Sequence, residues 1–292
     1  MHILLLGASI VVATLQSLFS RLYSDRYPRA TGMASALAYA IFYGAFIGLA
    51  TLALEGFAFA ASSATWILGV ANALVLSLYN LSLLQAGICG GYAAMMVSLL
   101  SGGILVPAVS NAVFLGQALG AAQLAGIALL LLAIVLMNLR GLSVAGQSRK
   151  FYLWCALLFL SNGLYGALLS AQAQLAAGAQ RGEMIAITYF GSALACATLL
   201  FFRAPREFRP AFHMGGRAAL CALGGSVSAT IASNLVLFLM HAMNSTVVNT
   251  VCNGGVLVAS TLLSAAMLHE KLTRPAVLGL VVACAGIVLM GL

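Results

Sequence analysis

The chain has 292 residues, 63% of them hydrophobic, and carries only 13 Lys or Arg and 5 Asp or Glu. About a quarter of the residues of a soluble domain are charged, so a charged fraction of 6% cannot cover a globular surface in water. The composition predicts an integral membrane protein in which about ten spans of about 20 residues occupy nearly the whole chain. It argues against a separate soluble domain, an extramembrane enzyme or a nucleic-acid-binding module.

Charged and turn-forming clusters divide the chain into ten apolar stretches. Because a helix satisfies its backbone hydrogen bonds internally, and no stretch alternates like a strand of a membrane barrel, each predicts a transmembrane helix. The first stretch has no basic segment ahead of it, which favours a retained helix over a cleaved signal peptide. The predicted spans are 3–20, 32–54, 65–86, 91–114, 119–139, 151–173, 184–202, 216–241, 245–268 and 274–292.

The two halves of the chain resemble each other. Because five is odd, two homologous five-helix units must cross the membrane with opposite polarity, and such inverted repeats are typical of secondary transporters with a midplane site. The predicted fold is therefore all-α, with one repeat in 1–140, a loop in 141–150 and a second repeat in 151–292. The matched positions are Ser101–Val106 with Asn253–Val258 at an offset of 152, and Gln117, Gly126 and Ile134–Met137 with Glu270, Gly279 and Ile287–Met290 at an offset of 153.

The net charge of +8 is distributed unevenly between the two sides of the predicted bundle. Arg181 is the one basic residue in a loop after an even-numbered span, and the other 12 of the 13 follow odd-numbered spans. Since the positive-inside rule applies to short loops, we expect the odd loops in the cytoplasm and both termini outside. The basic residues of the odd loops are Arg21, Arg26, Arg29, Arg140, Arg149, Lys150, Arg203, Arg206, Arg209, Arg217, Lys271 and Arg274.

Motifs for known catalysis are missing from the sequence. It has no G-x-x-x-x-G-K-[ST] loop, Asp25 is the one aspartate, and His269-Glu270 lacks the second histidine of H-E-x-x-H. Six cysteines lie in apolar stretches without C-x-x-C spacing or a histidine cluster, which favours packing over a metal or redox role. We therefore expect no enzymatic activity, no metal and no cofactor. The cysteines are Cys89, Cys155, Cys196, Cys221, Cys252 and Cys284.

The five acidic residues all fall at predicted helix ends or in loops. A carboxylate at the membrane midplane is costly and is kept where a proton or cation must be carried. The sequence predicts no carboxylate at the midplane, which disfavours cation export driven by a buried glutamate. It favours a neutral or zwitterionic solute, moved by facilitation or by weakly coupled exchange. The acidic residues are Asp25, Glu55, Glu183, Glu207 and Glu270.

Polar residues recur at helical spacing on the first, sixth, eighth and ninth spans. They form either helix-to-helix hydrogen bonds or the lining of a water-filled cavity. Amides favour the cavity, because their four hydrogen-bonding sites are hard to satisfy in a dry interface. The predicted site residues are Gln16, Asn72, Tyr79, Asn162, Tyr165, Asn234, His241, Asn249 and Asn253.

Three kinds of residue have competing interpretations. His241 is either a neutral histidine bonded to a backbone carbonyl at a helix end or a titrating gate. Tyr79 and Tyr165 are either structural or able to stack on a flat or cationic solute. The Gly102–Gly103 and Gly254–Gly255 pairs predict close packing rather than ligand binding.

The end of the chain contains the segment Leu268–Pro275, then Gly279, then Gly286–Leu289. This pattern is similar to the ending G-E-x-L-T, G, G-x-x-L, and through it the chain resembles an EamA-type repeat of the drug/metabolite transporter superfamily. The first half departs from this pattern, with Gln117 in place of the acid and Ala133 in place of the second glycine.

The resemblance implies an inner-membrane carrier of small metabolites such as amino acids, often working outward. It implies a cavity lined by the first, third, fourth, sixth, eighth and ninth helices, with the fifth and tenth behind as packing elements. Members of the family with cytoplasmic termini are familiar, whereas the charge count of this chain predicts termini outside.

The sequence thus predicts an alternating-access carrier of a small metabolite in the inner or plasma membrane. The alternatives are efflux of lipophilic organic cations and a membrane interaction protein that transports nothing. We expect a small-molecule solute and the lipid bilayer as partners, no nucleic acid, and a monomer or weak dimer.

Overall fold

The computed structural model describes residues 2–26, 32–89, 92–139, 148–175, 180–267 and 273–291. These residues form helices and connecting turns, and no strand occurs among them. The long helices are α1 (His2–Arg26), α2 (Gly32–Leu54), α3 (Ser63–Cys89), α4 (Tyr92–Phe114), α5 (Ala121–Asn138), α6 (Arg149–Leu175), α7 (Arg181–Arg203), α8 (Gly216–Ala242), α9 (Ser245–Met267) and α10 (Arg274–Met290).

Nine helices in the described part of the chain are long and apolar enough to cross a membrane. The helix α10 is apolar but shorter, with 17 residues. Each of the ten predicted stretches overlaps one of the long helices. The motif residues Leu268–Leu272, with Glu270 among them, and residues 141–147 of the predicted inter-repeat loop lie outside the described residues.

Several helices extend further than the hydropathy of their sequence predicts. The first ends at Arg26 rather than near residue 20, and α6 begins at Arg149, so that Arg149 and Lys150 belong to a helix rather than to a loop. Long basic side chains can lie along a helix end with their charge in water, so a charged residue need not end a helix. The predicted spans end where charged residues begin, whereas the helices continue past those residues.

The most extensive helix contacts join the first half of the chain to the second. Helix α1 packs on α8, α2 on α7, α3 on both α6 and α7, α4 on α6, and α5 on α10. A single large hydrophobic cluster accordingly includes residues from all ten long helices. The two halves therefore share one core and do not form two separate bundles.

Two glycine contacts between α5 and α10 have the same form with the helices exchanged. A Cβ atom on Gly126 would lie 2.8 Å from the carbonyl oxygen of Gly286, and one on Gly279 would lie 3.1 Å from the carbonyl oxygen of Ala133. The offset of 153 residues converts the first pair of positions into the second. Side chains larger than hydrogen would force these helices apart.

The predicted close packing at the two Gly-Gly pairs is confirmed. A Cβ atom on Gly103 of α4 would lie 2.6 Å from Nδ2 of Asn162 on α6. A Cβ atom on Gly255 of α9 would likewise collide with the side chain of Ile10 on α1. The offset of 152 converts positions 103 and 10 into 255 and 162. Pro107 lies inside α4.

Candidate functional site

The structure places the predicted site residues in two groups, with three residues apart from both. Gln16, Tyr79 and Tyr165 lie in or beside a group of tyrosines, and Asn162, Asn249 and Asn253 lie among amides between α4, α6 and α9. The three residues that lie apart are Asn72, Asn234 and His241.

We name the first group the tyrosine cluster, made of Gln16, Tyr43, Tyr165, Tyr189 and Ser233. Its members come from α1, α2, α6, α7 and α8, each within about one helical turn of the middle of its helix. If the helices span a bilayer, these side chains lie near its midplane. The cluster joins residues from both halves of the chain.

Direct contacts connect the members of the tyrosine cluster. The hydroxyl of Tyr189 lies 3.1 Å from that of Tyr165 and 3.0 Å from that of Ser233. Gln16 donates from Nε2 to the hydroxyl of Tyr43 at 2.5 Å. The ring of Tyr43 meets that of Tyr189 edge-on, with 6.0 Å between centroids. Ring and hydroxyl contacts thus link first-half helices α1 and α2 to second-half helices α6, α7 and α8.

Two further tyrosines extend an aromatic column from Tyr43 along α2 towards its first residue. Tyr39 stacks on Tyr43 at 5.5 Å between centroids, and Tyr23 lies 4.6 Å from Tyr39. The hydroxyl of Tyr39 is 2.8 Å from that of Ser20. The column therefore runs from the middle of the bundle to the end at which α1 finishes and α2 begins.

The tyrosine cluster offers neutral hydrogen-bonding groups and aromatic faces. The contacts within the cluster, and that of Tyr43 with Tyr39, all join neutral side chains. A phenolic hydroxyl both donates and accepts, and a tyrosine ring attracts a cation to its face. This chemistry suits a neutral or zwitterionic solute, and it also suits a delocalised cation.

The second group, which we name the amide cluster, consists of Asn111, Asn162, Asn249 and Asn253 with Ser170. Asn249 and Asn111 both donate from Nδ2 to the hydroxyl of Ser170, at 3.1 and 3.3 Å. Asn253 donates to the backbone carbonyl of Asn249 at 2.8 Å, and Asn162 donates across to a backbone carbonyl of α4, also at 2.8 Å. These donors bind protein acceptors, which is the geometry of helix-to-helix hydrogen bonding.

The three remaining predicted residues have different surroundings. Asn234 donates to the hydroxyl of Thr51 at 3.2 Å, and so ties α8 to α2. His241 is exposed in the last turn of α8, and its Nδ1 lies 2.9 Å from the carbonyl oxygen of Ala173. This contact is the one expected of a histidine that is bonded to a backbone carbonyl at a helix end. Whether the residue titrates stays a prediction.

Asn72 on α3 is the most unusual of the predicted residues. It is fully buried, yet neither its Oδ1 nor its Nδ2 atom has a hydrogen-bond partner. A buried amide without partners carries its full desolvation cost. The amide of Asn72 therefore has no hydrogen bond among the described residues, whereas that of Asn249 donates to Ser170.

Further polar contacts lie at the end of the bundle where α3 and α7 begin. Gln172 of α6 donates from Nε2 to the hydroxyl of Thr65 at 3.1 Å, and that hydroxyl donates to Oε1 of Gln180 at 2.6 Å. The same Oε1 accepts from the backbone N–H of Ser62 at 3.0 Å. These neutral bonds link the first half of the chain to the second.

Sequence reasoning did not assign Tyr43, Tyr189, Ser233 or Thr65 to the site. Tyrosines near a helix end are usually interfacial anchors, and the spacing along one helix does not show that Tyr43 and Tyr189 face each other. Ser233 lies one residue before Asn234, outside the polar residues that recur at helical spacing on α8, which are Ser226, Thr230, Asn234 and His241. The signal that was present is the number of tyrosines near the middle of their spans.

The described acidic residues lie away from the middle of the bundle. Glu55 follows α2, Glu183 is in the first turn of α7, and Glu207 is in a short helix after α7. No three His, Cys, Asp or Glu side chains converge to hold a metal ion among the described residues.

Long apolar helices packed around polar side chains in one bundle are compatible with a multi-pass membrane protein. Twenty-eight chains of solved structures match the fold. One of them, a crystal structure described only as that of a protein, aligns over 100% of this chain and 98% of its own, with a TM-score of 0.73 and 17% identity. At that identity the likeness establishes the shared fold alone. No protein-family model matches the sequence, and neither does any curated protein.

Proposed function

We propose that the protein is an alternating-access secondary transporter of a small neutral or zwitterionic metabolite, such as an amino acid. Its ten long helices form two inverted five-helix repeats. The tyrosine cluster is the solute site, and the two repeats rock around it. The observation that carries the proposal is the position of this cluster, at mid-helix and shared by both halves.

The exchanged glycine contacts support the inverted repeat. Offsets found in the sequence convert the contact between Gly126 and Gly286 into that between Gly279 and Ala133. They also convert the contact between Gly103 and Asn162 into that between Gly255 and Ile10. Such exchange is expected when two copies of a fold are related by a two-fold axis. It is not expected of unrelated apolar helices.

The polar contacts suggest how the two sides close. The bonds among Thr65, Gln172 and Gln180 join the halves at one end of the bundle, and the column from Tyr43 to Tyr23 fills the other. Neutral hydrogen bonds of this kind contribute about 1 kcal/mol each, so solute binding supplies enough free energy to break a few of them. With odd-numbered loops inside, the Gln172 end faces outward in an inner or plasma membrane, and the termini lie outside.

A second candidate function is the efflux of lipophilic organic cations. The stacked rings of Tyr39 and Tyr43, with Tyr189 edge-on, present aromatic faces of the kind that attract such cations. No described carboxylate contacts the cluster to neutralise the charge. This function therefore depends on ring faces alone, and for that reason we place it second.

Flux in liposomes containing the purified full-length protein tests the proposal. We expect saturable uptake from a mixture of radiolabelled amino acids, and lower uptake by the variant Tyr165→Phe. The matched control is Tyr152→Phe, which makes the same change at an exposed tyrosine near the start of α6. Uptake of tetraphenylphosphonium without amino-acid uptake would favour the second function. No uptake of either would favour a membrane interaction protein.

A further inference from the structure

The connection between α7 and α8 combines exposed arginines with exposed aromatic rings. Residues 201–217 read FFRAPREFRPAFHMGGR. They contain one acid, Glu207, against four arginines, Arg203, Arg206, Arg209 and Arg217, whose side chains are all exposed. We name this stretch the basic aromatic segment. It is the longest described connection between two long helices and was predicted as a plain loop.

The segment has a defined structure. A 3-10 turn over Pro205–Glu207 leads into a short helix over Phe208–Ala211. Ala211 is fully buried in a small apolar cluster with residues of α2 and α7, and Phe208 and Met214 pack against that cluster. Arg206 and Arg209 therefore belong to a structured connection that packs on the bundle, and Arg203 and Arg217 lie in the helices on either side of it.

Aromatic side chains form a continuous series of ring contacts from the end of α7 through the short helix that follows it. Phe201 meets Phe202 at 5.5 Å and Phe208 at 6.2 Å between ring centroids, and Phe208 meets Phe212 at 5.5 Å. Phe201 and Phe202 are 58% and 75% exposed, at the end of a helix that is apolar enough to cross a membrane. If α7 spans a bilayer, these rings lie at its surface, where aromatic side chains are enriched.

Four exposed guanidinium groups belong to the basic aromatic segment. Within the described part of the chain, none of them forms a hydrogen bond or an ion pair. Arg181, at the opposite end of the bundle, instead lies over the ring of Phe238 at 5.1 Å. Exposed guanidinium groups and exposed apolar rings in one segment complement a ligand that is anionic at one end and apolar at the other.

We propose that the basic aromatic segment binds an anionic phospholipid. The arginines hold its phosphate, and Phe201 and Phe202 contact its acyl chains. Guanidinium groups bind phosphate oxygens in bidentate geometry, and anionic lipids attract basic residues next to a membrane span. Of the four arginines, Arg217 lines an open groove of about 420 Å³ together with Gly215, Gly216 and Ala218. This inference does not depend on transport.

Lipid binding to the purified full-length protein tests the inference, measured by native mass spectrometry in detergent with phosphatidylglycerol or phosphatidylcholine. We expect tighter binding of phosphatidylglycerol, and the double variant Arg206→Gln/Arg209→Gln should weaken it at least about tenfold. The control is Arg149→Gln/Lys150→Gln, which removes two exposed charges from the same end of the bundle without adjacent exposed phenylalanines. It should retain binding within about twofold.

Several results would overturn the inference. They are equal binding of the two lipids, an equal loss in both double variants, or binding of glycerol phosphate as tight as that of phosphatidylglycerol. The last result would show that the acyl chains contribute nothing. If the Arg206→Gln/Arg209→Gln protein does not fold, the wild type decides by salt titration. Its phosphatidylglycerol binding should weaken about tenfold or more between 0.05 and 0.5 M NaCl, roughly the range over which surface charges become screened, and unchanged binding would contradict the inference.

Discussion

The tyrosine cluster and the amide cluster are both polar and lie in the same bundle, but their polar atoms bind different partners. The amides donate to Ser170, which is fully buried, and to backbone carbonyls. The tyrosine hydroxyls of Tyr165 and Tyr189 pair with each other and with Ser233. Hydroxyl groups can exchange donor and acceptor roles, so this network can admit a solute without leaving a buried group unpaired.

The comparison suggests a division of roles. The amide cluster links α4, α6 and α9 by hydrogen bonds, and in the proposed transporter the tyrosine cluster binds solute between the halves. A change in the first should alter stability without altering solute affinity, and a change in the second should do the reverse. The predictions below test this division.

The largest effect is expected in the amide cluster. Asn249→Ala removes the hydrogen bond to Ser170 and leaves a space in a buried site, so it should lower the free energy of unfolding by about 1 to 2 kcal/mol. Thermal unfolding in detergent measures the change, and amino-acid uptake per folded molecule should stay within about twofold of wild type. A large fall in uptake with unchanged stability would assign Asn249 to the solute site.

The next effect is expected at the centre of the tyrosine cluster. Tyr189→Phe removes the hydroxyl that bridges Tyr165 and Ser233, and the loss of one hydrogen bond to solute should reduce uptake about fivefold. The ring contact with Tyr43 is retained, so the unfolding temperature should change little. The measurement is uptake at limiting amino-acid concentration, with Tyr152→Phe as the control. Equal uptake by Tyr189→Phe and Tyr152→Phe would contradict the assignment of the tyrosine cluster as the solute site.

A smaller effect, of opposite sign on stability, is expected at Asn72. Asn72→Leu replaces an unpaired buried amide by an apolar side chain of similar size, so it should raise the free energy of unfolding by up to about 1 kcal/mol. Thermal unfolding beside Asn249→Ala gives the test. If Asn72→Leu is instead destabilised and loses uptake, its amide binds water or solute that transport requires.

The smallest effect is expected at His241. Its contact with the carbonyl of Ala173 does not require a charged imidazole, so His241→Gln should leave the dependence of uptake on pH unchanged between pH 5.5 and 8. A shifted profile would favour the interpretation of His241 as a titrating gate.

The sequence predicted the helices better than it predicted their partners. Hydropathy located the ten stretches, and the Gly-Gly pairs indicated close packing, because both signals reside in a single helix. The contact of Tyr43 with Tyr189 depends on the packing of α2 on α7, which no spacing within one helix encodes. The same is true of Thr65 and Gln172. Asn162 and Asn249 were predicted to line a cavity, and that prediction stays untested, although their amide donors bind neighbouring helices.

The most direct test of alternating access at the tyrosine cluster is cysteine accessibility in a variant lacking the six native cysteines. The variant Ser233→Cys should react with a membrane-impermeant thiol reagent added to either side of oriented vesicles. The matched variant Ser170→Cys, in the amide cluster, should react from neither side. Reaction of Ser233→Cys from both sides would be the result that the proposal predicts. Protection of position 233 from both sides, or equal reaction at positions 170 and 233, would contradict it.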